Sequence, residues 1–218
     1  VYASPKEASM GTAYSYTMEG IDKHRKGNYE GAIIDYTKAL EINPNYSYAL
    51  HNRGFAKNII GDYEGAIIDL NKSIELNPND INSYKSRVVA KYGLKDYKSA
   101  ILDINFVIKK DSKDLEAIIS RAKIKSKLNN FSGSIQDYSR VLKLDPNRED
   151  AIYGKAVAMF KLNNFSGAIE DFSRLIEINP NNYKYFEGRG IAKHGFKMYL
   201  ESLDDYEVAL KLNPKVAS

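Results

Sequence analysis

The chain has 218 residues and no cysteine, and its 32 basic and 28 acidic side chains leave a formal net charge of +4. The lack of cysteine excludes disulfides, thiol nucleophiles and cysteine-ligated metals. The mixed charge is not typical of a nucleic-acid-binding surface, and no apolar run reaches the length of a membrane span.

The first residues are predicted to form a short polar N-terminal tail, residues 1–12, which contains Pro5 and Gly11. Val1-Tyr2-Ala3 has the small-residue pattern that precedes a signal-peptidase cleavage site. The alternative is that the sequence simply begins at an arbitrary point. We therefore expect a cytoplasmic location and keep export as the second interpretation.

Proline then recurs at a fixed interval along the chain. The spacings are 34, 68, 34 and 34 residues, and they separate Pro44, Pro78, Pro146, Pro180 and Pro214. Ser112 occupies the position where the longer gap would be divided in two. A period of about 20 to 50 residues indicates a stacked repeat array. The predicted repeats are 13–46, 47–80, 81–114, 115–148, 149–182 and 183–216, followed by a C-terminal end at 217–218.

Each repeat is predicted to contain two amphipathic helices. In the first repeat they span about Ala13–Lys26 and Tyr29–Ile42, because apolar residues in the second segment recur at spacings of three and four. Gly27–Asn28 provides the tight turn between them. The Asn-Pro pair near the repeat end stops the second helix, because a residue before proline is pushed out of helical geometry.

Small and aromatic residues recur in phase with the prolines. First helices carry Gly20, Gly54, Ala122, Ala156 and Gly190; second helices carry Ala32, Ala66, Ala100, Ser134, Ala168 and Ser202; and an aromatic residue opens each second helix at Tyr29, Tyr63, Tyr97, Phe131, Phe165 and Tyr199. With the terminal proline, this pattern over residues 13–216 resembles the tetratricopeptide repeat family. The related pentatricopeptide repeats have a longer period. The third repeat departs most, with Val88, Lys110 and Ser112 at consensus positions, so we expect a local change in helix packing there.

The resemblance implies a fold class: an all-α, right-handed superhelical α-solenoid of antiparallel helix pairs. In such an array each repeat buries its apolar face against its neighbours. We therefore expect residues 13–216 to form one solenoid without an internal linker.

Two sets of charged residues also recur at fixed positions of the repeat, and each set is called a column. The acidic column is Asp35, Asp69, Asp103, Asp137, Asp171 and Asp205, and the basic column is Arg53, Arg87, Arg121, Lys155 and Arg189, with Glu19 in the first repeat. Because Glu19 would repel Asp35 within one repeat, the sequence predicts a ladder of pairs between repeats, Asp35 with Arg53 and onward to Asp171 with Arg189. The alternative is two independent solvated faces, and exposed pairs would contribute only about 0–1 kcal/mol each.

The resemblance also implies a binding surface, because first helices of this family line a concave groove. Groove positions vary between these repeats while the packing columns stay constant. We expect the groove to be lined by Tyr14, Ile21, His24, Tyr48, His51, Asn52, Phe55, Lys85, Val89, Tyr92, Ile119, Lys123, Tyr153, Val157 and Phe160. Aromatic anchors with scattered polar groups suit an extended peptide or a partner helix. The alternative is that several of these aromatic residues only pack within the array.

The function predicted is therefore a non-enzymatic protein–protein interaction scaffold whose protein or peptide partner the sequence does not identify. Members of the family that clamp chaperone C-termini use a Lys and Asn set of which only Asn52 matches here. We predict no catalytic residues, no cofactor, no metal site, no nucleic-acid partner and no membrane span. The alternative function is a self-assembling structural array, a homo-oligomer that stacks through Leu203, Tyr206 and Leu210 of the last repeat.

Overall fold

The computed structural model describes residues 5–214, with side chains described from Met10 onward. The Val1-Tyr2-Ala3 pattern and the predicted end at 217–218 lie outside these residues. The described part is helical, in the order α1 (Pro5–Arg25), α2 (Tyr29–Ile42), α3 (Ser47–Ile59), α4 (Tyr63–Leu76), α5 (Ile81–Gly93), α6 (Tyr97–Lys110), α7 (Leu115–Lys127), α8 (Phe131–Leu144), α9 (Glu149–Lys161), α10 (Phe165–Ile178), α11 (Tyr183–Gly195) and α12 (Tyr199–Leu212). The predicted all-α fold of packed helix pairs is confirmed.

The predicted N-terminal tail is wrong for residues 5–12, because α1 already begins at Pro5. Proline is tolerated in the first turn of a helix, where its missing N–H has no partner to lose. Gly11 does not break the helix, and nothing lies within 4 Å of the place where its Cβ would be. The first helix is therefore longer than the other first helices.

Local sequence explains where the second helices begin. Asn28, Asp62, Asp96, Asn130 and Asn164 each accept a hydrogen bond from the backbone N–H three residues later, as N-caps do. The residue before each cap has a positive φ. This residue is Gly27 in the first repeat, Gly61 in the second and Asn129 in the fourth. Glycine and asparagine tolerate this left-handed conformation better than other residues.

The third repeat ends its second helix without proline. Asp111 follows α6 with extended backbone angles, and its N–H donates to the Val107 carbonyl at 2.9 Å. Val88 is buried in the same repeat, at the position where the other repeats have glycine or alanine. The helix boundaries therefore keep the 34-residue period through the position of Ser112.

The chain divides into two compact units, Val1–Ser112 and Lys113–Ser218. In the first unit the fully buried ring of Tyr36 packs on Gly20, and a Cβ there would lie 2.6 Å from Tyr36 Cε1. In the second unit Phe172 and Leu175 are buried in the central cluster. The single uninterrupted solenoid over residues 13–216 stays a prediction.

Candidate functional site

The first helices of the first unit expose several of the predicted groove residues. Tyr14, Tyr48, Phe55 and Val89 are exposed, and Ile21, His24, His51, Asn52, Lys85 and Tyr92 are half-buried. An apolar side chain that stays accessible in the folded chain is available as an anchor for a partner. This set is called the first-helix face below.

Three rings stack in the middle of this face. The Phe55 ring lies between His24 and His51, with centroid distances of 5.3 Å and 6.4 Å and nearly parallel planes. Burial lowers the pKa of both histidines, and Asp80 partly opposes this effect on His51. The lowered pKa favours neutral imidazoles near pH 7. Phe55 is therefore both an exposed apolar surface and part of the packing between the first two repeats.

A polar pocket of about 440 Å³ opens beside His51. Tyr48, Asn52, Asn77, Asp80 and Asn82 contribute to its lining. Asp80 accepts a hydrogen bond from Ser83 Oγ at 2.5 Å, and that hydroxyl also lies 3.1 Å from His51 Nδ1. The pocket combines amide, carboxylate and imidazole groups with one exposed tyrosine, which suits a ligand with backbone-like hydrogen-bonding groups.

Sequence reasoning missed the part of this pocket that comes from the connection between repeats. Asn77 ends α4, and Asp80 caps α5 by accepting from the Asn82 N–H. The prediction considered only positions along the first helices. The Asn-Pro-Asn-Asp segment before α5 is a signal that could have pointed to these side chains.

The first helices of the second unit carry a smaller apolar set. Tyr153 is 37% exposed, and its ring packs edge-on to Phe172 at 5.8 Å. Val157 and Phe160 are half-buried, and Lys123 is exposed. Ile119 was predicted to line the groove, but it is 1% exposed, so that prediction is wrong. A branched aliphatic side chain is too short to reach past its neighbours, whereas the tyrosine at the equivalent position reaches solvent.

The charged columns pair within repeats, so the predicted ladder between repeats is wrong. In each pair the basic residue lies 16 positions before its aspartate, on the first helix of the same repeat. The pairs are Arg53–Asp69 at 2.7 Å, Arg87–Asp103 at 2.6 Å, Arg121–Asp137 at 2.6 Å, Lys155–Asp171 at 3.0 Å and Arg189–Asp205 at 2.6 Å.

A second basic column, which was not predicted from the sequence, explains why Glu19 led to the wrong pairing. Asp35 is bound by Lys23 of its own repeat at 2.6 Å, so Glu19 leaves it with a cation. Equivalent lysines contact the aspartate in four other repeats: Lys57, Lys91, Lys125 and Lys193. The signal was present in the sequence as a lysine four positions after Arg53, Arg87, Arg121 and Arg189, and after Glu19 in the first repeat.

The arginines nevertheless connect consecutive repeats through a neutral acceptor. Arg87 uses Nε and Nη2 for Asp103, and its Nη1 donates to Asn71 Oδ1 of the preceding repeat at 2.8 Å. Arg53 donates in the same way to Thr37, and Arg189 to Ser173. The planar guanidinium has enough donors for both partners, which an ammonium cannot match in this geometry.

The aspartates of these pairs are buried. The alternative interpretation, in which the charged columns form two independent solvated faces, therefore does not describe them. Asp35, Asp69, Asp103, Asp137, Asp171 and Asp205 are each 6% exposed or less. A buried carboxylate that loses its cation is strongly destabilised. The pairs therefore belong to the framework that holds the first-helix face in place.

Between Met10 and Pro214, where side chains are described, no three His, Asp or Glu residues gather in a way that could hold a metal ion. None of the helices in that range combines the length and apolarity that a membrane-spanning segment requires.

Family models match four segments of the chain. A model described as "TPR repeat" matches residues 22–58, and two models described as "Tetratricopeptide repeat" match residues 149–182 and residues 47–80 and 115–148. No curated protein sequence matches the chain significantly.

Solved structures share the fold at low sequence identity. A tetratricopeptide repeat protein from Parabacteroides merdae is 19% identical with a TM-score of 0.81, covering 92% of this chain and 80% of its own. YrrB, described as a TPR protein with an unusual peptide-binding site, is 17% identical with a TM-score of 0.69, covering 82% and 92%. PilF from Pseudomonas aeruginosa is 15% identical with a TM-score of 0.73, covering 95% and 94%.

Proposed function

We infer, because the chain belongs to the tetratricopeptide repeat family, that it is a non-enzymatic scaffold for protein–protein interaction. Its first-helix face takes an extended peptide or a partner helix in the concave groove that this family forms. The description of YrrB as having a peptide-binding site supports the same use of the fold.

One observation carries this proposal: the exposed side chain of Tyr48 lines a polar pocket, and a further exposed apolar side chain lies on the first helix of the next repeat. Tyr48 is 48% exposed and lines the pocket with His51 and Asn52. Val89, one repeat further, is 52% exposed. Exposed aromatic and aliphatic groups supply anchoring area, and the amides and imidazole fix the orientation of a bound chain.

A displayed library of random peptides, selected against the protein, tests the proposal. The double variant Tyr48→Ser, Val89→Ser should weaken binding of the selected peptides by about tenfold or more, because truncating a buried anchor costs about 2 kcal/mol. The matched control is Ile34→Ser, Ile68→Ser, which removes two exposed apolar side chains from second helices. Its effect should stay below about twofold, since surface changes away from the binding site cost about 0.5 kcal/mol or less.

Peptides that bind the Tyr48→Ser, Val89→Ser variant as tightly as the original chain would contradict the proposal. So would a selection in which the Ile34→Ser, Ile68→Ser control loses binding instead. Dissociation constants from fluorescence anisotropy measure both variants on one scale.

Self-assembly is the second candidate function, and the last helix favours it. Leu203 is 57% exposed, whereas Ile169 at the equivalent position of the preceding repeat is half-buried. Leu210 is 40% exposed on the same helix. No described residue covers this stripe, so we propose that a second copy of the chain packs on it.

Light scattering over a range of protein concentrations tests the self-assembly. We expect the mean mass to rise with concentration in the unmodified chain and to stay at the monomer value in Leu203→Glu. Leu102→Glu is the matched control, because Leu102 is 69% exposed on another second helix and should leave the association intact. A monomer mass at every concentration in the unmodified chain would rule out the candidate.

A further inference from the structure

The fifth repeat lacks one of the two cations that the second, third, fourth and sixth repeats place at their buried aspartate. Asp137 of the fourth repeat is bound by Arg121 and Lys125, and Asp205 of the sixth by Arg189 and Lys193. In the fifth repeat the position equivalent to these lysines holds Met159. Among the described residues, only Lys155 has its cation within 4 Å of the Asp171 carboxylate.

Asp171 is therefore a buried carboxylate with an incomplete set of partners. It is 6% exposed, and its Oδ1 accepts a hydrogen bond from Lys155 Nζ at 3.1 Å. Its Oδ2 lies 3.0 Å from the same nitrogen but accepts no hydrogen bond in the described structure. Burial raises the pKa of Asp171, and Lys155 only partly opposes that effect. An ionised carboxylate in this position gains from any further cation that can reach it.

An open pocket of about 490 Å³ lies next to this carboxylate. Met159 and Gly167 line it together with Asp171, and Glu170 and Glu177 add negative charge to it. Arg174 also lines the pocket, but its guanidinium donates to the Pro146 carbonyl and lies 3.5 Å from Asn147 Oδ1. Lys155 lines the pocket as well, so its lining holds three carboxylates, those of Glu170, Asp171 and Glu177, against the two cations of Lys155 and Arg174.

The fourth repeat indicates what such a pocket accepts. There Lys125 Nζ lies 2.7 Å from Asp137 Oδ2 and donates to the Gly133 carbonyl at 3.3 Å. The corresponding atoms in the fifth repeat are Asp171 Oδ2 and the Gly167 carbonyl oxygen. The fifth repeat therefore has the same two oxygen acceptors as the fourth. It lacks the lysine ammonium group that binds them in the fourth repeat.

We propose that this pocket binds a basic side chain of a partner protein, a lysine ammonium or an arginine guanidinium. The bound cation takes the place that Lys125 has in the fourth repeat and lies against the thioether of Met159. None of its residues belongs to the first-helix face, and Met159 and Lys155 lie on the opposite side of α9 from Tyr153 and Val157, the residues of that helix predicted to line the groove. It gives the scaffold a second contact that selects partners by charge.

Nuclear magnetic resonance with small cations tests the site without knowledge of the partner. The probes are methylammonium chloride and methylguanidinium chloride, and tetramethylammonium chloride at equal ionic strength is the control without N–H donors. The Asp171 carboxyl carbon and the Gly167 amide are followed in the full chain. We expect a saturable shift with at least one N–H-bearing probe and no saturable shift with tetramethylammonium.

Two variants of Met159 and one of Asp171 make the test specific. Met159→Lys supplies the missing ammonium from the chain itself and should abolish the saturable shift. Met159→Leu is the matched neutral control and should retain it. Asp171→Asn should abolish the response of the Gly167 amide, because the carboxylate that attracts the probe is gone. Amide spectra of each variant verify that the repeat is folded.

The proposal is overturned if neither N–H-bearing probe produces a saturable shift in the unmodified chain. It is equally overturned if the shift persists in Met159→Lys or Asp171→Asn, since the cation would then bind elsewhere. Failure of the peptide selection on the first-helix face would leave this result unaffected, because none of the residues tested here lies on that face.

Discussion

Replacing Phe172 by alanine should lower the free energy of unfolding by about 4 kcal/mol, which is the usual cost of truncating a buried phenylalanine. The ring is 3% exposed, and its Cε1 atom lies 2.5 Å from the place where a Cβ on Gly188 would be. It also contacts Tyr153 edge-on. The substitution therefore leaves a cavity between the fifth repeat and the sixth, and urea titration followed by circular dichroism measures the loss.

Phe196→Ala is the matched control for this experiment. Phe196 is 52% exposed in the same unit, so its truncation should cost less than about 1 kcal/mol. Similar losses for the two variants would contradict the packing described for Phe172.

Replacing Arg87 by methionine should lower the free energy of unfolding by about 2 to 3 kcal/mol. Breaking a buried ion pair by removing one partner costs about 3–5 kcal/mol, and Lys91 remains 2.7 Å from Asp103 to reduce this cost. The substitution also removes the hydrogen bond from Arg87 Nη1 to Asn71 of the preceding repeat. Urea titration gives the difference directly.

Two further variants distinguish a buried pair from an exposed one. Lys26→Met breaks the exposed Lys26–Asp22 pair and should cost less than about 0.5 kcal/mol. The triple variant Arg87→Met, Lys91→Met, Asp103→Leu should recover most of the loss, because neither a carboxylate nor an ammonium group is then left unpaired at this position. A cost for Arg87→Met as small as that for Lys26→Met would show that the buried pairs contribute no more than exposed ones.

The repeat pattern was sufficient to predict the helices, because each boundary has a local cause. The second helix of the first repeat was predicted as Tyr29–Ile42 and has those bounds, since Asn28 caps it and Asn43 leaves helical geometry. The start of α1 was not predictable from the period, because residues 5–12 precede the first repeat and carry no periodic signal. Their helix continues the first repeat upstream of Ala13.

The partners of the charged columns could not be read from a periodic sequence. Asp35 precedes Arg53 by 18 positions, and Arg53 precedes Asp69 by 16, so both pairings fit the period equally well. Only the orientation of the two helices within a repeat decides between them. The groove prediction failed at Ile119 for a similar reason, because a position in the repeat does not specify whether a short side chain reaches solvent.

Photo-crosslinking tests most directly whether a partner binds on the first-helix face. p-Benzoylphenylalanine is placed at Tyr48 in one protein and at Ile68 in a second, two exposed positions on a first and a second helix. Each protein is irradiated with a peptide selected from the displayed library. We expect the peptide to crosslink at position 48 and not at position 68. Crosslinking at position 68 with none at position 48 would contradict the claim.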